Sequence, residues 1–183
     1  NVDARGWQLV IDSIADFDPD TFTFNLTARG IDVFISKLDA NGIFRWAKQI
    51  GGSTTDNATS VAMDGFGNLY IIGAYIYTAD FDPGPGVFNM PARIDKFDVY
   101  ILKLKSNGNF LWAKNIGGND WEEGAALAVD EIGNVYSTGY FQKTADFDPG
   151  PGMANLTATG DDDIFISKLD SSGKFVWAKK IGS

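Results

Sequence analysis

Hydrophobic and polar residues alternate along this chain in short runs, and glycine-rich polar turns separate the runs. Residues 60–63 and 69–77 are apolar, the second run being rich in β-branched and aromatic residues, and a Gly-Asn turn joins them. Residues 99–104 and 110–114 flank a Ser-Asn-Gly-Asn turn, and Asn-Gly favours the positive φ of tight hairpins. No stretch has the 3.6-residue periodicity of a helix. The pattern therefore predicts a unit of four antiparallel strands, A to D.

The unit repeats. Three segments end in Trp-Ala-Lys, and their tryptophans, Trp46, Trp112 and Trp177, are 66 and 65 residues apart. The block that predicts strands A and B in full occurs only twice, from Thr59 and from Ala125. We therefore expect three segments of one repeat array: a partial unit with strands B, C and D at residues 1–52, and complete units at residues 53–118 and 119–183.

A four-stranded antiparallel repeat is the unit of a β-propeller blade. The chain is accordingly expected to be all-β, with about two and a half blades, as a fragment of a larger propeller or a protomer completed by partners. Uncovered sheets at both ends predict self-association or docking of the remaining blades of a parent protein. The segments near residues 7–11 and 176–181 are expected to be buried in that contact.

The amino-acid composition argues against several classes of function. The absence of Cys and His excludes thiol nucleophiles, disulfides and imidazole catalysis. A net charge of −9 without a basic patch opposes nucleic-acid binding. No apolar run approaches the roughly 20 residues that cross a bilayer, so no membrane insertion is expected. Any chemistry would depend on carboxylates, hydroxyls or lysines.

Several motifs resemble a known family, the bacterial β-propeller repeats called SBBP. The resemblance is carried by Val129-Asp130 followed by Gly-Asn-Val-Tyr-Ser-Thr-Gly-Tyr at residues 133–140, by Asp163–Leu169, and by Trp177-Ala178. It covers nearly the whole chain in repeated form. It implies a propeller fold and an extracellular or cell-surface location in a bacterium, and it implies little about activity, because propellers host many functions.

The Asp-Phe-Asp-Pro insert between strands B and C is a candidate calcium site. Its paired carboxylates could offer oxygen ligands to Ca²⁺, which binds six to eight of them. In the alternative interpretation, the first Asp caps the turn, Phe anchors it and Pro-Gly makes it rigid. The residues concerned are Asp16, Asp18, Asp80, Asp82, Asp146 and Asp148.

The segment Asp120, Trp121, Glu122 and Glu123 is a candidate ligand site because nothing like it occurs in the preceding repeat. A tryptophan beside carboxylates can stack on a sugar or hold a cation, although a solvated loop between blades is the alternative. In an up-and-down blade, this segment and the inserts lie on one face. We therefore expect a scaffold that binds a protein or a polysaccharide. The alternative function is an accessory or catalytic part of a carbohydrate-active enzyme that uses Asp and Glu on that face.

Overall fold

The computed structural model describes residues 14–19, 22–92 and 95–183. These residues contain sixteen β-strands and no α-helix. The strands are β1 (Ile14–Asp16), β2 (Asn25–Thr27), β3 (Val33–Leu38), β4 (Phe44–Gly52), β5 (Asp56–Met63), β6 (Leu69–Tyr75), β7 (Thr78–Asp80), β8 (Asn89–Pro91), β9 (Asp98–Leu104), β10 (Phe110–Gly118), β11 (Glu122–Val129), β12 (Val135–Phe141), β13 (Thr144–Asp146), β14 (Asn155–Thr157), β15 (Asp163–Leu169) and β16 (Phe175–Ile181).

Two four-stranded antiparallel sheets form the second and third repeats. Strands A to D are β5, β6, β9 and β10 in the second repeat and β11, β12, β15 and β16 in the third. In the first repeat, β3 and β4 are strands C and D. The predicted contact near Trp7 and Ile11 lies outside the described residues. The all-β fold class with propeller-type blades is confirmed.

Each insert between strands B and C is a short hairpin. The three hairpins are β1–β2, β7–β8 and β13–β14. Strand β7 pairs with the end of β4, and β13 pairs with the end of β10, so each of these two hairpins extends the sheet of the preceding repeat. A sequence-based count of four strands per repeat omitted them, because a strand of three residues is too short to show alternation.

The sheet of the second repeat is buried on both faces. Alternate side chains of a strand point to opposite faces, so Leu69 and Ile71 pack towards Val33 and Ile35 of the first repeat. Tyr70 and Ile72 on the other face pack with residues of the third repeat such as Val135, Phe141 and Phe165. Neighbouring repeats therefore pack face to face, as blades do.

The repeated tryptophans lie at the contacts between repeats. A Cβ added at Gly108 or Gly173, in the turns between strands C and D, would lie 3.5 Å from Trp46 or 3.3 Å from Trp112 of the preceding repeat. The indole Nε1 of Trp112 also donates a hydrogen bond to the Ser171 carbonyl over 3.4 Å. Trp46 and Trp112 therefore pack between neighbouring repeats.

Candidate functional site

The segment 120–123 joins strand D of the second repeat to strand A of the third, and its side chains separate into two groups. Asp120 and Glu122 are buried, at 5% and 1% exposure. Trp121 is 38% exposed, and Glu123 is half-buried. Alternation at the start of β11 explains the division. Only Trp121 and Glu123 are therefore accessible to a ligand.

Asp120 is held by two lysines. Lys143 Nζ lies 2.5 Å from Asp120 Oδ2, and Lys96 Nζ lies 2.9 Å from Asp120 Oδ1. These hydrogen bonds, that of Lys143 first, lower the pKa of Asp120 to about 2. Asp120 is thus an ionised anchor for the loop and would not exchange protons with a substrate near neutral pH.

The Trp121 ring is fixed by residues of the neighbouring repeat. The ring centroids of Trp121 and Phe97 are 5.1 Å apart, and Lys96 Nζ lies 5.4 Å from the centroid of the Trp121 ring. The backbone N–H of Glu122 donates to the Phe97 carbonyl over 3.0 Å, which ties the two repeats together at this point. An aromatic surface supported by a ring and a cation is therefore presented at the junction.

Lys143 reaches Asp120 from an unusual backbone conformation. Its φ is +51°, in the left-handed region that is uncommon for residues other than glycine. The equivalent residue of the second repeat, Tyr77, has a φ of +64° and hydrogen-bonds Asp95 through its hydroxyl over 2.6 Å. Both repeats thus share this left-handed backbone conformation. Only the third repeat has a lysine here, and that lysine contributes to the candidate site.

Glu123 has an aromatic partner on strand B. The Tyr140 hydroxyl, which is partly exposed, donates a hydrogen bond to Glu123 Oε2. That hydrogen bond, followed by burial, raises the pKa of Tyr140 to about 12. Sequence reasoning missed Lys96, Phe97, Tyr140 and Lys143. A comparison of each residue with its equivalent one repeat earlier would have indicated them, because each differs from that equivalent. The equivalents of Lys96, Phe97 and Tyr140 are Gly30, Ile31 and Ala74.

The junction between the first and second repeats has a depression at the same place. Its volume is about 380 Å³, and it is lined by Ala28, Arg29, Gly30, Ile31, Thr54 and Thr55. Gly30, Ile31, Thr54 and Thr55 are the equivalents of Lys96, Phe97, Asp120 and Trp121. One junction is therefore open where the next is filled by an aromatic and ionic cluster.

The first Asp of each insert closes its own hairpin. Asp80 Oδ1 accepts the N–H groups of Asp82 and Phe88 over 3.0 and 2.8 Å. Asp146 does the same for Asp148 and Ala154. In the first repeat, the carboxylate of Asp16 accepts from Asp18 and Phe24, over 3.1 and 2.8 Å.

The second Asp of the two full inserts also supports the turn. Asp82 Oδ1 and Asp148 Oδ1 each accept a glycine N–H over 2.8 Å. The phenylalanine between each pair, Phe81 or Phe147, is fully buried and anchors the hairpin. In the described ranges, no group of three or more Asp and Glu side chains could hold a metal ion. Calcium binding by the inserts stays a prediction.

The inserts and the segment 120–123 lie at the same end of the blades. The N–H of Asn119 donates to the carbonyl of Thr144 in the insert hairpin over 3.4 Å. The A–B and C–D connections at the other end are tight turns around Gly67, Gly108, Gly133 and Gly173. The expected shared face is therefore present, and it carries the longer loops.

Fold and site together define a propeller-type repeat array with a non-repeated aromatic cluster on one face. A family model described as the SBBP β-propeller repeat matches residues 45–74, which confirms the predicted resemblance over this segment. No helix in the described parts of the chain has the length and apolar character needed to span a membrane.

Two curated proteins are similar to the chain. An uncharacterized WD repeat-containing protein L264 of Acanthamoeba polyphaga mimivirus is 28% identical over 179 residues, covering 81% of this chain and 12% of the relative. The regulatory protein FlaEY of Caulobacter vibrioides is 28% identical over 85 residues, covering 46% of this chain and 9% of the relative. The chain thus spans about a tenth of the length of each.

Proposed function

We propose that this chain is a binding scaffold that recognises a protein or polysaccharide partner on the face that carries Trp121. The partly exposed indole of Trp121, which contacts Phe97 and Lys96, is the observation that supports this most strongly. A rigid aromatic surface offers a large contact area at a small cost in conformational entropy. The preceding repeat has no such aromatic surface. A blade therefore does not need one to fold, and this favours a role in recognising the partner.

The depression at the preceding junction extends the proposed binding face. It is lined by Arg29, small threonines and a glycine, and it occupies the position equivalent to the Trp121 cluster one repeat earlier. An extended ligand that crosses neighbouring blades would place one group on Trp121 and another in the depression. Concave sites with a few polar groups are the usual form of such recognition.

The geometry favours binding over catalysis. An acid and a base at a fixed separation are needed for glycoside hydrolysis. Here, however, Asp80, Asp82, Asp146 and Asp148 accept backbone N–H groups of their own turns, and Asp120 is ion-paired. The carbohydrate-active enzyme is therefore the weaker proposal. A propeller scaffold also agrees with the WD repeats named in the mimivirus relative.

An extracellular or cell-surface location in a bacterium is part of the proposal and is supported by the resemblance to secreted repeats. Fractionation of the source cells with an antibody against the chain tests it. Recovery of the protein only in the cytoplasm would contradict this part alone, and the binding site would stand.

The binding proposal is tested by affinity electrophoresis of the whole chain. Gels would contain a neutral β-glucan, a polyuronate or an α-mannan, and a parallel assay would pan the chain against a displayed random-peptide library. We expect retardation by one of the polysaccharides or enrichment of a peptide class. Substitution Trp121→Ala should abolish that signal, and Trp121→Phe should keep part of it.

Phe66→Ala is the matched control, because Phe66 is a more exposed aromatic residue in a tight turn at the opposite end. It should leave binding unchanged. Equal loss of binding in Trp121→Ala and Phe66→Ala, or a signal untouched by Trp121→Ala, would contradict the proposed site.

A further inference from the structure

The depression between the first and second repeats is built on a fixed backbone. Ile31 and Thr55 form a parallel bridge that joins the two repeats. In this bridge, the N–H of Ile31 donates to the Thr54 carbonyl over 2.8 Å, and the Ile31 carbonyl accepts the N–H of Asp56 over 2.7 Å. The Thr54 hydroxyl donates to the carbonyl of Ile76 over 2.9 Å. A ligand would therefore meet an ordered surface, which lowers the entropic cost of binding.

Arg29 is the charged residue among those that line this depression, and it is exposed. None of the ion pairs that the described residues form with one another involves its guanidinium. The aspartate nearest in sequence, Asp32, is buried and accepts the backbone N–H of Arg29 over 3.1 Å and the side-chain amide of Gln49. The guanidinium is thus available to a ligand, and its planar donors match a carboxylate.

The cluster around Trp121 carries more positive than negative charge. Lys96 and Lys143 both bind the single carboxylate of Asp120, over 2.9 and 2.5 Å. Two ammonium groups on one carboxylate leave one positive charge in excess. The side chain of Lys143 is 73% exposed and that of Lys96 is 35% exposed. Both lysines can therefore also contact an anionic group of a ligand that lies on the indole.

Two further carboxylates are close to this cluster in the sequence and have neutral partners. Asp95 accepts the hydroxyl of Tyr77 over 2.6 Å, and Asp162 accepts the amide of Gln142 over 2.8 Å. The whole chain has a net charge of −9. An anionic ligand is therefore attracted only close to the local cations, and its binding should be weakened strongly by salt.

We propose that the partner is an acidic polysaccharide, with a uronate carboxylate on Arg29 in the depression and another sugar ring of the same polymer on Trp121. This inference rests on the proposed function, because it names the ligand of the same face. A polyuronate carries a flat ring and a carboxylate in every residue, and these are the two groups that the face can bind. Sheets packed face to face lie about 10 Å apart, so a short stretch of polymer spans both positions.

Affinity electrophoresis and titration calorimetry of the whole chain test the proposal. The two probes are sodium polygalacturonate and the same polymer after methyl esterification, which keeps the sugar ring and removes the charge. A chelator in every buffer prevents divalent ions from bridging the polymer and the protein. We expect the acidic polymer to bind about tenfold more tightly than the ester, as for the gain of one hydrogen bond to a charged group. This difference should decrease as the salt concentration rises.

Substitutions at Arg29 test the role of the depression. Arg29→Gln removes the charge and keeps the backbone N–H that Asp32 accepts, so the fold should be retained. It should weaken binding of the acidic polymer by about tenfold and leave binding of the ester unchanged. Arg29→Lys, which keeps the charge, should restore most of the affinity. Lys105→Gln is the matched control, because it removes a positive charge from an exposed residue in a C–D turn at the opposite end. It should change nothing.

Trp121→Ala separates this inference from the proposed function. Equal binding of the acidic polymer and its ester, or wild-type affinity in Arg29→Gln, would overturn the inference, whereas loss of binding in Trp121→Ala would still support the proposed face. Binding of a peptide and of no polyuronate, abolished by Trp121→Ala, would likewise overturn only the assignment of an acidic polysaccharide. Polyuronate binding that Trp121→Ala leaves unchanged would contradict the proposed function and, with it, this inference.

Discussion

Asp32 and Asp56, from neighbouring repeats, bury their carboxylates at one point beside Gly51. A Cβ at Gly51 would lie 2.6 Å from Asp32 Oδ1 and 2.8 Å from Asp56 Oδ2, so only glycine fits there. Burial raises the pKa of Asp56 to about 7, the hydrogen bond from the Gly52 N–H opposes this shift, and the charge of Asp32 adds to it. The junction therefore contains a carboxyl group that titrates near neutral pH.

The raised pKa predicts a loss of stability as the pH rises. Since the folded pKa of Asp56 exceeds the unfolded value of 3.8, its contribution is complete below that value and is lost as the pH rises through about 7. Asp56→Asn, which mimics the protonated form, should melt at a higher temperature than the wild type above neutral pH and at a similar temperature in acid. Asp161→Asn, at an exposed carboxylate, is the control. A constant difference between wild type and Asp56→Asn across this pH range would refute the assignment.

Lys103 should stabilise the junction between the second and third repeats. Its Nζ donates to the Ser171 carbonyl and lies over the Tyr70 ring. Removing a buried hydrogen bond from a charged donor costs about 1–3 kcal/mol. Lys103→Met, which keeps the apolar stem, should therefore lower the midpoint of thermal unfolding, by about 2–4 °C for each kcal/mol lost in a chain of this size. Lys105→Ala should have no effect. Equal midpoints for the two variants would show that the hydrogen bond contributes nothing.

The insert hairpin should depend on an acceptor at position 80 and not on its charge. Asp80 Oδ1 accepts two backbone N–H groups, and an asparagine oxygen can do the same. Asp80→Ala should therefore destabilise the chain by about 1–3 kcal/mol and expose the amide of Phe88 to hydrogen exchange. Asp80→Asn should keep most of the protection. If Asp80→Asn were as damaging as Asp80→Ala, the charge would be what matters.

Calcium gives a separate test of the same carboxylates. If the inserts bind the ion, Ca²⁺ should raise the melting temperature more than Mg²⁺, because the larger ion accepts an irregular oxygen shell. The Asp80→Asn and Asp146→Asn double variant should lose that increase while remaining folded. Identical melting curves in Ca²⁺ and in a chelator would leave the inserts as turns only.

The repeat and its strands could be predicted from the sequence because their causes are local. Alternation and Asn-Gly turns indicate hairpins, and the recurrence of Trp46, Trp112 and Trp177 indicates where one unit ends. The pairing of β7 with β4 could not be predicted in this way. It joins Gly51 to Asp80 across two repeats, and only the packed arrangement brings these strands together.

The candidate site could be predicted only in part, because some of its contacts depend on how the strands pack. The sequence indicates the whole segment Asp120, Trp121, Glu122 and Glu123, because it differs from the equivalent residues of the preceding repeat. That Glu122 is buried, and that Asp120 is held by Lys96 and Lys143, depends on how β11 enters the sheet and on a left-handed residue at the start of the insert. Neither feature follows from the composition of the segment.

The central claim is that the face carrying Trp121 binds the partner. Hydrogen exchange measured by mass spectrometry, with and without a saturating amount of the polysaccharide or peptide that the binding screen selects, tests it most directly. Ligand should protect residues 119–123 together with residues 95–97 and 28–31, and leave the turns at residues 64–68 and 130–134 unchanged. Protection of those opposite turns without protection of residues 119–123 would contradict the account.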